Sequence, residues 1–334
     1  MVRGRAGVLR LAVATLGGAA AAADGLFEAA GASVARAPGG AVALICGLLL
    51  LDAAVTVVLN LDTAVVFMTP VLLHAARQRH LAEAPFLYGA VFMANSASLL
   101  LPGSNLTNLI VLAHEHISGA RFAARLAAPW AAAVALTIAF VVVVFRSELK
   151  APRVADGEPV PFRRRSLVAV CAAAALVLLL ARPALPVLGV GVAAVGVAGV
   201  GGRRAIRAAN PLLLLGILGI AVALGTLARA ADVGHLLVHA GRWETAWVAA
   251  AAAVLVNNLP AAVMLTAHLP AHPRALLFGL DLGPNIAVTG SLSAVLWYRV
   301  ATVEGARPSI VRYTVYGAGL ASLSIVAALL VSAA

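Results

Sequence analysis

The chain has 334 residues, 63% of them hydrophobic and only 11% charged, with a mean hydropathy of +1.01. Soluble domains carry about 45–50% apolar residues, so this composition excludes a soluble globular protein and points to a bilayer. The net charge of +11 does not imply a nucleic-acid partner, because the 23 Arg and the single Lys150 fall between apolar runs rather than on one face, the placement of membrane loops.

In chain order, residues 1–25 mimic a signal peptide, with basic residues, an apolar stretch and then small residues. The segment Leu9–Phe27 is read instead as a structural helix, because it corresponds to Pro211–Leu227 further on. Apolar runs Ala41–Leu59 and Thr63–Leu73 flank Asn60, and runs Phe86–Leu101 and Leu106–Ala113 flank Pro102-Gly103-Ser104-Asn105. Leu126–Phe145 precedes a polar loop, Arg146–Arg165, after which come Leu167–Leu180, Leu185–Val200 and Pro211–Leu227. Thr245–Val256 and Ala261–Leu269 flank Asn257, Ala275–Leu282 and Ile286–Val300 flank Gly283-Pro284, and Tyr313–Val331 is last.

Several of these runs are too short to cross about 30 Å of hydrocarbon alone. Each pair around an Asn is predicted to form a re-entrant hairpin with its polar tip at mid-membrane. Segments 86–113 and 275–300 are predicted to be helices broken in the middle, since Pro removes a backbone donor and Gly adds freedom.

The two sets match. Residues 57–69 (VVLNLDTAVVFMT) lie over 254–266 (VLVNNLPAAVMLT), pairing Asn60 with Asn257 and Thr69 with Thr266, and Gly103-Ser104 lies over Gly290-Ser291. An internal repeat of this kind is the mark of a secondary transporter. The expected fold is all-α and polytopic, with two inverted repeats, each holding a re-entrant hairpin and a broken helix. The first repeat covers 1–147 (hairpin about 38–78, broken helix about 86–113). A cytoplasmic linker covers 148–165, and the second repeat covers 166–334 (hairpin about 243–271, broken helix about 275–300). Leu167–Leu180 and Leu185–Val200 have no counterpart ahead of Leu9–Phe27, so the first repeat reads as N-terminally shortened. Arg residues 36, 77, 79, 203, 204, 207, 299, 307 and 312 and the Arg146–Arg165 group fall on one side, taken as cytoplasmic, with Arg3, Arg5 and Arg10 opposite it.

Polar groups at membrane depth carry the chemistry. Asp62 and Asp281 are ion-coupling candidates for H+ or Na+, because a carboxylate in hydrocarbon needs a proton, a cation or a hydrogen-bonding partner. The bland reading of both is an acceptor for exposed helix-end amides. Asp281 is expected at the end of a half-helix facing Asn257-Asn258. The substrate-binding candidates are Asn60, Asp62, Thr63, Ser104, Asn105, Asn108, Asn257, Asn258, Asn285 and Ser291, with Ser293 beside them; some of these serve only to satisfy unwound backbone. Asp52, within a hairpin arm, fits a structural role as well as a functional one. Cys46 and Cys171 sit inside apolar runs and read as small buried hydrophobes. His235–His239 and His268–His272 have helical i, i+4 spacing, but Pro270 interrupts the second pair and no third ligand is evident, so no metal is expected. His114-Glu115-His116 is not a zinc-protease motif.

The stretches NNLPAAVML (257–265), Gly279-Leu280-Asp281-Leu282-Gly283-Pro284, Gly290-Ser291-Leu292 and Leu296-Trp297 resemble the second-half signature of ArsB-type arsenite permeases. These belong to a wider ion-transporter superfamily that includes dicarboxylate carriers. Asn60-Leu61-Asp62-Thr63 with Thr69-Pro70, and FMANSASLLLPGSNLTNLI (92–110), resemble the corresponding first-half hairpin and broken helix. The resemblance covers about residues 8–332 and implies a scaffold domain plus a mobile transport domain holding both hairpins, with substrate at their tips. Three departures stand out. Asn95 sits where the family often has an acid, Asn285 where it has a Lys, and the family's Asn-Asp pair is spread to Asn60-Leu61-Asp62.

The resulting expectation is a multi-pass cell-membrane secondary transporter and not an enzyme, without a cofactor, exporting arsenite, antimonite or a similar small oxyanion or neutral hydroxide by elevator-type alternating access. With no thiol near the site residues, arsenic would be recognised as a trihydroxide by hydrogen bonds. The alternatives are a proton- or sodium-coupled dicarboxylate or organic-anion carrier, favoured by a basic side chain in the site, and a truncated, transport-inactive homologue. The lipid bilayer is the evident partner; a homodimer and an ATPase partner are left open.

Overall fold

A computed structural model describes residues 38–150 and 233–332 except 116, 117 and 269, together with 34 and 36. The runs Leu9–Phe27, Leu167–Leu180, Leu185–Val200 and Pro211–Leu227, most of the Arg146–Arg165 loop and Cys171 lie outside the described residues. Among the described residues the structure is all-helical: α1 Ala41–Leu59, α2 Leu61–Gln78, α3 Ala84–Ala97, α4 Leu106–Glu115, α5 Gly119–Val144, α6 Arg242–Val256, α7 Asn258–Leu265, α8 Pro273–Leu282, α9 Leu292–Val303 and α10 Ile310–Val331. Of these, α1, α5 and α10 are long and apolar enough to cross a membrane.

The helix ends follow from local chemistry. At 19 residues, α1 is about 28 Å long. It stops at Asn60, whose φ of 132° no helix accommodates, and the Asn60 Oδ1 then accepts from Thr63 N at 2.9 Å and caps α2. The same device ends α6. Asn257 has φ 75°, and its Oδ1 accepts from Leu259 N at 3.3 Å to start α7. Each pair of helices is thus separated by a single Asn with a positive φ, a conformation that L residues seldom adopt. Segment 86–113 comprises α3, an irregular stretch with a 3-10 turn at Pro102–Ser104, and α4. Segment 275–300 comprises most of α8, 3-10 turns at Gly283–Ile286 and Val288–Gly290, and most of α9. The element order helix, Asn, helix, helix, broken turn, helix, long helix therefore occurs twice.

The helices bury two cores. One gathers Ile45, Leu48 and Leu49 of α1, Leu72 of α2, Phe86 and Phe92 of α3, and Trp297 of α9. The other gathers Ala246, Ala249, Ala250 and Ala253 of α6, Leu265 of α7 and Leu276 of α8, with Val111 of α4. The segments after the two breaks exchange places: α4 packs against α7 and α8, while α9 packs against α2. Two long helices lie along both cores. Helix α5 contributes Phe122 and Leu126 to the second core and Val141 to the first; α10 contributes Tyr313 and Leu320 to the first and Ile325 and Leu329 to the second. They run in opposite senses and pack on each other.

Candidate functional site

The interruptions bring polar side chains from both halves together. All of α3 from Pro85 to Ala97 is buried, as is α8 from Ala275 to Leu282, so the residues at their ends are deep in the protein. Past the end of α3, the carbonyls of the irregular stretch are taken up by side chains from the 3-10 turn and from α4. Ser104 Oγ donates to Ser98 O at 2.6 Å or Leu101 O at 2.6 Å, and Asn108 Nδ2 reaches Ser98 O at 2.8 Å and Leu101 O at 3.0 Å. These two candidates stabilise the unwound backbone, which in hydrocarbon must be satisfied internally.

Asp281 lies on α8, 1% exposed. Gly279 and Gly283 press against α6, where an added Cβ would come within 2.1 Å of Ala246 O and 2.7 Å of Ala250 Cα respectively. Asp281 is two residues from each, about 200° around the helix, so it points away from α6. Its hydrogen bonds accordingly go to α4 and the residue before it rather than to Asn257-Asn258. Asn105 Nδ2 donates to Oδ1 at 2.9 Å and Thr107 Oγ1 donates to the same oxygen at 2.6 Å. Asn105 Oδ1 in turn accepts from Thr107 N at 3.2 Å. Two buried acceptors at this junction, Asp281 Oδ2 and Asn108 Oδ1, have no hydrogen-bond partner among the described residues.

A second cluster surrounds the other break. Asn95 Nδ2 donates to Asn285 Oδ1 at 2.8 Å, while Ser291 Oγ and Ser293 Oγ reach Asn95 Oδ1 at 3.4 and 3.3 Å. Ser291 also caps α9, accepting from Ala294 N at 3.2 Å. Tyr313 OH donates to Pro284 O at 3.0 Å, and Gly317 lies so close to Asn285 O that a Cβ would meet it at 1.7 Å. The residues that depart from the family pattern, Asn95 and Asn285, are thus direct partners, a neutral amide pair.

The hairpin tips are placed differently. Asn257 Nδ2 donates to Thr289 O at 3.1 Å and Thr289 Oγ1 donates to Val254 O at 3.0 Å, which tie the second tip to the second break. Asn258 is buried beside it. At the first tip, Asn60, Asp62 and Thr63 are half-buried in the first turn of α2. Asp52 and Thr56, one turn apart on α1, are fully buried next to each other, and neither side chain reaches a hydrogen-bond partner elsewhere among the described residues. Cys46 is half-buried against the first core. His235 and His268 stack edge to face at 5.6 Å, and no group of three metal-ligating side chains occurs among the described residues. Sequence reasoning did not single out Thr107, Ser98 or Tyr313; the nearest signal for Thr107 was its place two residues after Asn105 at a helix start.

Comparison with known proteins points to a membrane transporter. A family model described as "citrate transporter" (CitMHS) matches residues 6–289. The arsenical pump membrane protein of Escherichia coli is 26% identical over 317 residues, covering 83% of this chain and 74% of that protein. Its counterpart in Yersinia enterocolitica is 26% identical over 320 residues with the same coverage, and that of Shigella flexneri 25% identical over 317 residues. The apolar helices, broken twice around buried amides, hydroxyls and a carboxylate, are those of a multi-pass membrane transporter, and the chain belongs to the citrate transporter family, within the ion-transporter superfamily that includes the arsenite permeases.

Proposed function

We propose that the chain is a secondary active transporter that exports a small, oxygen-rich, neutral solute, arsenite or antimonite as the trihydroxide, with movement coupled to H+ or Na+ at Asp281. One observation carries the reading: the groups left uncommitted at the junction of the two broken helices are acceptors, Asp281 Oδ2 and Asn108 Oδ1. A ligand complementary to acceptors presents hydroxyl donors, a proton or a cation. A trihydroxide brings three donors, whereas citrate at neutral pH brings carboxylate acceptors and a single hydroxyl donor.

On this reading the two halves are inverted repeats, and Asn60 and Asn257 mark re-entrant tips that move with the broken helices as the transport unit of an elevator. Asn105, Thr107 and Asn108 orient Asp281 and its guest, Asn258 and Ser291 lie along the path, and Asp62 is the second coupling candidate. The family description favours a second reading, a carrier of citrate or another organic anion, which calls for a basic side chain that the clusters around Asp281 and Asn285 do not contain.

The test is flux in proteoliposomes under an imposed pH or sodium gradient, with arsenite, antimonite, citrate and succinate as the panel. Gradient-driven arsenite or antimonite flux, lost in Asp281→Asn while membrane insertion is kept, is the expected result. Flux of citrate alone would establish the second reading, and equal gradient-driven flux in wild type and Asp281→Asn would remove Asp281 from coupling.

A further inference from the structure

Away from the broken helices, a cavity of about 330 Å³ opens between the start of α3 and the loop into α10. Its wall is built by Tyr88, whose hydroxyl accepts from Ser309 N at 3.0 Å and so ties that loop to α3. Behind Tyr88 lie Phe92, Phe145, Trp297 and Tyr316, with ring centroids within 5.6–6.2 Å of it, a packed aromatic floor that holds the cavity's shape. Arg307 and Arg312 line it, together with one carboxylate, Glu83. Glu83 is already engaged, accepting from Arg77 Nε at 2.7 Å. Neither the Arg307 nor the Arg312 guanidinium forms a hydrogen bond or ion pair among the described residues. The cavity therefore presents two arginines that have no ion-pair partner among the described residues.

Its surroundings say where the anion comes from. Val303, Ile310, Val311 and Val315 are 55–84% exposed, apolar side chains that in this membrane protein face acyl chains, and they flank the two arginines. Arg77, Arg79 and Arg299 mark the same side of the membrane as the positively charged one, read as cytoplasmic. A basic pocket at the cytoplasmic membrane boundary, between transmembrane elements and beside lipid-facing side chains, suits the phosphate of an anionic lipid. Guanidinium groups bind phosphate through paired N–H donors.

We propose that this cavity is a binding site for the headgroup phosphate of an anionic phospholipid, held by Arg307 and Arg312. The lipid clamps the loop 304–309 and, through it, the start of α10, the helix whose Tyr313 and Gly317 touch the second break.

The experiment is native mass spectrometry of the purified full chain titrated with phosphatidylglycerol, with phosphatidylcholine and inorganic phosphate as separate arms. Arg307→Gln/Arg312→Gln is compared with wild type and with Arg299→Gln, which removes a nearby charge outside the cavity. Phosphatidylglycerol is expected to bind in preference to phosphatidylcholine, with affinity falling about 30-fold in the double variant and little changed in Arg299→Gln. Equal binding of the two lipids by wild type overturns the proposal without recourse to any variant. An equal loss in Arg299→Gln would show diffuse surface charge instead of a site, and tight binding of inorganic phosphate alone would make the ligand a soluble anion; either result also overturns it.

Discussion

The two halves repeat one order of elements but are held together by different means. Helices α1 to α3 meet through bulky side chains, with Leu48, Leu49, Leu72, Phe86 and Phe92 fully buried between them. Helices α6 and α8 meet through Ala and Gly, their backbones close enough that no Cβ fits at Gly279 or Gly283. Close approach by small residues is the usual solution where lipid offers no hydrophobic drive for association. At the breaks the carboxylate goes with the tightly apposed half: Asp281 sits between those two glycines, while at the first break the polar work is done by Ser104, Asn105 and Asn108. Aliphatic packing tolerates adjustment, whereas at a glycine contact backbone meets backbone and an added Cβ has nowhere to go. The half that carries Asp281 is the one whose helices approach each other most closely.

The comparison can be broken most severely at the point where the halves meet. Asn285→Lys alone places an unpaired cation beside Asn95 and is expected to destabilise the protein by about 3–5 kcal/mol. Adding Asn95→Asp supplies the counter-charge at hydrogen-bond distance and should recover most of that loss, measured as thermal unfolding in detergent. Failure of the second change to rescue the first would show that the amide pair does not stand in for an ion pair.

Next comes the packing contrast itself. Gly279→Ala forces α6 and α8 apart and should cost about 1–3 kcal/mol. Gly47→Ala, on α1, the first-half counterpart of α6, meets nothing within 4 Å and should instead stabilise by about 0.5–1 kcal/mol through helix propensity. Similar effects at both positions would erase the distinction between the halves.

The hairpin turns, by contrast, should respond alike. Asn60→Ala and Asn257→Ala each remove a cap worth about 1 kcal/mol and strain a positive φ. The Gly variants should lose only a few tenths, since Gly keeps the backbone freedom. Unfolding midpoints of the four variants check this, and a marked difference between the two Asn→Ala changes would show that the turns are not equivalent.

The all-helical, membrane-embedded class was legible because apolar run length reports bilayer crossing directly. Both Asn turns and both breaks were legible too, since Asn60, Asn257, Pro102-Gly103 and Gly283-Pro284 interrupt otherwise apolar runs. What the linear pattern does not carry is which face of a helix meets which neighbour. Thr107 looks like any N-terminal threonine until the exchange of α4 and α9 sets it 2.6 Å from Asp281. Asn95 and Asn285, separated by 190 residues, are related only by tertiary contact. Tyr313 reads as an ordinary aromatic in a spanning helix, and its hydrogen bond to Pro284 O depends on how α10 lies across both cores.

The exchange of α4 and α9 has a consequence for how the chain is made. Asn105 leaves the ribosome 176 residues ahead of the Asp281 it will hold. At about 5–20 residues per second, that is an interval on the order of 9–35 s. Throughout it, the donors of Asn105 and Thr107 lack the carboxylate they will share and must be sheltered by first-half groups such as Ser98, by the insertion machinery or by water at the membrane surface. A nascent chain stalled before α8 would expose this polar end to lipid and offer it to quality-control proteases. Biogenesis of the first half thus ends only when the last third of the chain has been inserted.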